Sequence, residues 1–154
     1  MTYDRMQEKG ATQLLYAYSP GTEPQDSTEY LERYPGDSII DLIGVDAYQF
    51  DRDAYVKSLD NALAIISQVS KAHQKAMAVT ETGYETIPDS VWWTQTLMPV
   101  IEKYPISYVL VWRNAREKKN HFYAPYPGQV SADDFVKFYD DPRTLFAGDM
   151  KNVK

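Results

Sequence analysis

"KAMAVTETGYE", residues 75–85, runs from a small apolar stretch into a carboxylate, Glu81, and then a glycine. Its apolar part, "AMAVTE" (76–81), is one of four such runs, the others being "TQLLYAYS" (12–19), "SIIDLIGVDAY" (38–48) and "ISYVLVWRN" (106–114). All four are nearly continuous in apolarity instead of strictly alternating, which is how strands buried on both faces read when a parallel sheet is covered by helices. Helical periodicity lies between them. Tyr55, Leu59, Leu63, Ile66, Val69 and His73 recur at three- and four-residue steps, predicting an amphipathic helix over 53–71 with one face on the sheet. Trp93, Leu97, Val100, Ile101 and Tyr104 predict a second. Shorter helices are expected over 28–34, closed by "YPG", and over 132–139, opened by Ser131 as cap and stopped by "DDP".

Strands alternating with helices mean parallel strands joined by right-handed crossovers, so the fold class is α/β and the carboxyl ends of all four strands share one rim. No repeat or low-complexity linker divides the chain. "MTYDRMQEKG" reads as the last turns of a helix stopped by Gly10, with no cap at its beginning, so the chain is expected to begin mid-domain.

Composition narrows the chemistry. The 154 residues are 44% hydrophobic, enough for a real core, and the net charge of −6 with no basic-aromatic stretch argues against nucleic acid or an anionic membrane as partner. No run approaches the ~20 apolar residues of a membrane span, and the first ten residues hold no hydrophobic signal core. The absence of cysteine excludes disulfides, thiolate metal sites and a Cys nucleophile. His73 and His121, separated by a strand and a helix, make a poor metal pair, and neither a phosphate-binding Gly-rich loop nor a G-x-S-x-G elbow is present. No metal and no cofactor are therefore expected.

The last residues of the four predicted strands are Tyr18, Ser19 and Pro20; Asp46, Ala47 and Tyr48; Thr80, Glu81 and Thr82; Trp112, Arg113 and Asn114. Strict alternation puts Met77, Val79 and Glu81 on one strand face and Leu42, Gly44 and Asp46 on another, so both carboxylates can point to the same side. Two roles stand open for Glu81: a strand-end residue held by Arg113 or a tyrosine hydroxyl, or a nucleophile or general base oriented by Tyr48. Trp112 reads as core or, at the rim, as a flat surface for a sugar ring. Arg113 offers a fork of donors to hydroxyls, or an ion pair to Asp46 or Glu81. The aromatic, turn-rich loop 115–135 resembles a groove wall, with His121, Phe122 and Tyr123 either contacting ligand or pinning the loop. Of Trp92 and Trp93, one is expected to be packed and the other at the surface or in the groove.

"LLYAYSPG", "YLERYPGDSIIDLIGVDAYQF", "VTETGYE", "WWTQTLMPVI", "YVLVWRNA" and "HFYAPYPGQVSADDFVKFYDD" together resemble the carboxyl-terminal half of a glycoside hydrolase family 26 enzyme, typically an endo-β-1,4-mannanase. The resemblance covers nearly the whole chain, in order. It implies half of a TIM (β/α)8 barrel, the fifth to eighth strands, with residues 1–154 forming part of a catalytic domain. It further implies that Glu81 in "TETG" is the nucleophile of a retaining mechanism, that Tyr48 orients it, that Asp46 lies alongside, and that Trp112 and Arg113 bind substrate, joined by His121 and Tyr123 from the loop.

One departure stands out. The family's acid/base glutamate, at the end of the fourth strand in a His-Glu pair preceded by Arg-Pro, has no counterpart here, and Asp46 would lie beside the nucleophile instead of across the bond. The resemblance thus implies a chain that carries the nucleophile, lacks the acid/base and is inactive alone, a fragment of a longer secreted mannanase. Its expected partners are β-mannan or a related polysaccharide, such as β-1,3-xylan or mixed-linkage β-glucan, and either the missing amino-terminal half-barrel or a second copy covering the open sheet. Its expected location is extracellular, periplasmic or cell-surface, without a signal peptide in the chain itself. A non-catalytic carbohydrate-binding remnant and an assembly module are the rival readings.

Overall fold

In a computed structural model, which describes residues 2–152, four parallel strands lie in the order β1-β2-β3-β4. They are β1 (Ala17–Tyr18), β2 (Leu42–Gln49), β3 (Ala76–Tyr84) and β4 (Val109–Val111). Helix α1 (Thr2–Glu8) precedes them, and Gly10, at φ 77°, turns the chain out of it, as expected of a left-handed stop. Helix α2 (Ser27–Leu31) joins β1 to β2, and α3 (Arg52–His73) joins β2 to β3. A π-helical turn (Trp93–Leu97) leading into α4 (Met98–Ile101) joins β3 to β4, and α5 (Ala132–Tyr139) follows.

The two central strands lie where the sequence reading put them, although β2 begins only at Leu42 of the run 38–48 and β3 continues past 81 to Tyr84; the outer ones are shorter. Of the run 12–19, only two residues pair with β2, and Leu14 and Leu15 are exposed. Of 106–114, three residues form β4, extended by the Ser107 and Trp112 amides donating to Met77 and Thr82 carbonyls. Apolarity alone overstated them, since Tyr108 and Leu110 are each 43% exposed on the sheet face away from the helices.

Helix α3 explains the covered face. Asp51 caps its start by accepting from the Ala54 amide, Gln74 ends it in the left-handed conformation, and Tyr55, Leu59, Leu63, Ile66 and Val69 are buried as the periodicity predicts. They pack on Ile43, Val45 and Ala47 of β2 and Met77 and Val79 of β3. Each fully buried side chain of this kind contributes about 1.5–3 kcal/mol. This closely packed two-strand, one-helix unit carries the site at its carboxyl end.

Two helix details differ from expectation. Trp92 and Trp93 are both buried, at 0% and 1% exposure. The π-helical turn lets adjacent indoles pack inward, 4.8 Å apart and nearly perpendicular, with Gln49 Oε1 accepting from one N–H and Ser131 Oγ from the other. Ser131 does stand at the N-cap position of α5, yet its hydroxyl serves Trp93 and Gln129 and caps nothing. The nearby carboxylate is Asp134, almost fully buried, which accepts from the Thr94 amide and hydroxyl across the helix pair.

Candidate active site

Glu81 faces the same side as Asp46, but not by the alternation read from the sequence. Met77 and Val79 pair with Ile43 and Val45 and point into the helix-covered core; strict alternation would send Glu81 there as well. The register slips by one between Val45 and Asp46, so that Asp46 pairs with Glu81 and Thr80 is left over as a β-bulge. Thr80 and Glu81 consequently both reach the uncovered face. The expectation that Met77, Val79 and Glu81 share a face is corrected by this single extra residue.

Each rim carboxylate has a distinct environment. Asp46 Oδ1 accepts from the Ser19 and Thr80 hydroxyls, both at 2.8 Å, while those hydroxyls touch each other. This cluster fills the space beside Gly44, where a methyl would come within 2.6 Å of Thr80 Cγ2. Glu81 accepts a hydrogen bond from the Tyr48 hydroxyl at 2.8 Å. Burial and then the Glu81 carboxylate raise the Tyr48 phenol far above its ordinary value, so it remains a donor. Behind Glu81, Thr82 faces the core and its hydroxyl meets that of Tyr55 at 2.6 Å, tying the strand end to α3.

A cleft of about 510 Å³ opens beside this pair, walled by Tyr48, Tyr84, Glu85, Trp112 and Tyr123. The structure therefore brings together Tyr48, Trp112 and Tyr123 in one wall, with Glu81 joined to it through the Tyr48 hydroxyl. It sets Arg113 apart and keeps His121 against two residues of the cleft wall. Arg113 turns outward and bonds Glu117 at 3.2 Å, with both side chains more than half exposed, so it pairs with neither Asp46 nor Glu81. His121 bonds Glu85 at 2.7 Å and lays its ring against Tyr123. His73, at the far end of the sheet, bonds Asp37 at 2.8 Å and is structural, as read. Among the described residues no group of three or more His, Cys, Asp or Glu is placed to hold a metal, and no helix is long and apolar enough to cross a membrane.

Sequence reasoning did not single out Gly83, and it placed Thr80 on the rim without its role as the bulge. No periodicity announces a bulge, and the need for Gly83 arises from a ring contributed forty residues later. Asn114 was visible as a rim residue, but its partners were not.

The sequence profile of glycosyl hydrolase family 26 matches residues 1–136. Among solved structures, a GH26 beta-mannanase from Bacteroides ovatus is 64% identical, with a TM-score of 0.94 over 96% of this chain and 43% of that one. Two curated relatives are mannan endo-1,4-beta-mannosidases. That of Bifidobacterium adolescentis is 28% identical over 90% of this chain and 16% of its own length, and that of Bacillus subtilis is 31% identical over 69% of this chain and 26% of its own. The chain thus spans less than half the length of the relatives it matches, and its four strands and alternating helices correspond to part of their TIM barrel. With the profile matching residues 1–136 of its 154, this protein belongs to glycosyl hydrolase family 26.

Proposed function

We propose that residues 1–154 are the carboxyl-terminal part of a catalytic domain that hydrolyses β-1,4-mannosidic bonds with retention, and that Glu81 is its nucleophile. The observation that carries this reading is the hydrogen bond to Glu81 from Tyr48, a residue that also lines an aromatic cleft. In the complete reaction a Glu81 carboxylate oxygen bonds to the anomeric carbon as the glycosidic C–O bond breaks. The electron pair leaves on the aglycone oxygen, which takes a proton from an acid. Water then attacks the anomeric carbon, gives its proton back to that group, and frees Glu81. Tyr48, kept protonated, holds the carboxylate on line, and Trp112 offers its face to the sugar. The aromatic and mostly uncharged wall suits a neutral polysaccharide.

The acid comes from polypeptide outside these residues. A retaining pair needs its carboxyl groups about 5 Å apart on opposite sides of the bond, whereas Asp46 sits one strand over on the same rim with Oδ1 engaged by two hydroxyls. We place the protein outside the cytoplasm, where polymeric mannan is met.

A substrate with a good leaving group tests the nucleophile separately from the acid. 2-Deoxy-2-fluoro-β-mannosyl fluoride loses fluoride without protonation, so the chain should acquire one fluoromannosyl ester, mapped by peptide mass spectrometry to Glu81. Glu81→Gln should acquire none. An unlabelled wild-type chain, or a label elsewhere, overturns the assignment; binding of mannohexaose without any labelling would leave a carbohydrate-binding module instead.

A further inference from the structure

We propose that Tyr123 is a positioning residue for Glu81, acting through Tyr48, and that Asn114 holds Tyr123 in place; this rests on the reading of Glu81 as nucleophile. Tyr48 and Gly83 are register partners on β2 and β3. A strand side chain at position 83 would ordinarily pack against the Tyr48 ring, but here there is none. The ring of Tyr123, from the loop after β4, occupies that place: a methyl on Gly83 would overlap Cδ1 of Tyr123. Gly83 is thus required by close approach of a ring, not by backbone conformation. The Tyr123 ring meets that of Tyr48 edge-on, with centroids 5.7 Å apart and planes at 72°. A loop residue thereby walls in the phenol whose hydroxyl holds Glu81.

That loop is fastened rather than draped. Asn114 Oδ1 accepts from the amides of Tyr123 and Ala124, and its Nδ2 donates to the Ala124 carbonyl, all at 2.9 Å. The Thr86 amide donates to the Phe122 carbonyl at 2.8 Å, tying the same loop to the end of β3. Asn114 directly follows Arg113 at the end of the β4 run, so one side chain fixes the wall at the point where the chain leaves the sheet. Freed from this contact, Tyr48 gains torsional freedom and Glu81 spends less time aligned, which lowers the rate of attack more than it weakens binding.

The experiment follows formation of the fluoromannosyl ester by intact mass, separating the maximal rate from the half-saturating concentration. Tyr123→Ala, Tyr123→Leu and Asn114→Ala should each lower the maximal rate roughly 10-fold or more, with the half-saturating concentration moved by less than about 3-fold. Tyr123→Phe, which keeps the ring, should recover most of the rate; Asn114→Asp, which keeps the oxygen that accepts from both amides but sets a second acceptor against the Ala124 carbonyl, should recover only part of it. Circular dichroism melts establish that each variant is folded, and the paired Ala and Leu changes at 123 ensure one folded variant that lacks the ring. Wild-type labelling with unchanged rates in the variants overturns the proposal alone. A loss confined to the half-saturating concentration makes Tyr123 a binding wall and also overturns it. A wild-type chain that takes no label overturns the nucleophile assignment and this proposal with it.

Discussion

Tyr55→Phe removes one oxygen from the interior directly behind the candidate nucleophile. The Tyr55 and Thr82 hydroxyls lie 2.6 Å apart, and both residues are 2% exposed or less, so no water replaces the lost partner. A buried hydroxyl left unsatisfied costs about 1–3 kcal/mol, and for a chain of this size each kcal/mol lowers the melting temperature by roughly 2–4 °C. Tyr55→Phe should therefore destabilise the fold by about 2 kcal/mol, or roughly 4–8 °C. Thr82→Val, which removes the other hydroxyl while keeping the branched shape, should cost a similar amount. The double variant should cost less than the sum by about 1 kcal/mol, because the second change removes a group already stranded. Urea unfolding followed by tryptophan fluorescence measures all three, since Trp92 packs against Tyr55. Additive costs, or a single-variant loss below about 0.5 kcal/mol, would mean that the hydroxyl pair does not tie the β3 end to α3. The backing ascribed to Glu81 would then be wrong.

Gln49→Leu strands the fully buried Trp92 N–H that now donates to Gln49 at 2.7 Å, and should cost about 1–3 kcal/mol in the same urea experiment. Tyr48→Phe removes the hydroxyl that donates to Glu81 and should slow fluoromannosyl labelling roughly 10- to 100-fold while the melting curve stays cooperative; labelling at the wild-type rate would remove Tyr48 from the mechanism. At the carboxyl end, hydrogen bonds from Arg143 hold the Asp141 carboxyl down at about 2, below its usual 3.8. A depressed carboxyl stabilises the fold fully above the unfolded value and loses that contribution as pH falls through the folded one. The stability difference between wild type and Arg143→Met should accordingly be flat above about pH 4 and narrow towards pH 2. Melting temperatures across that range check it, and a gap that does not narrow rejects it.

The parallel order of the strands, the long helix over Tyr55 to Val69 and the carboxyl-end rim were all legible in the chain, because each follows from local periodicity and the handedness of crossovers. The tyrosine–glutamate pairing was legible through resemblance, and the distance now supports it. Other features were hidden for a common reason. Arg113 was open to an ion pair with either rim carboxylate, yet its nearer partner is Glu117, one helical turn's spacing away along its own chain. Trp92 and Trp93 were expected to divide between core and surface, and a π-helical turn buries both.

What the sequence determined alone is therefore the α/β alternation, the core face of α3 and the residue types at the rim, since these depend on side-chain character and on spacing along one segment. Which way Glu81 points depended on the extra residue at Thr80, and which side chain stands beside Tyr48 depended on the void above Gly83 and a ring from the loop after β4. Both are decided by pairing between distant segments, where a slip of one residue reverses a face, and no local pattern records that slip.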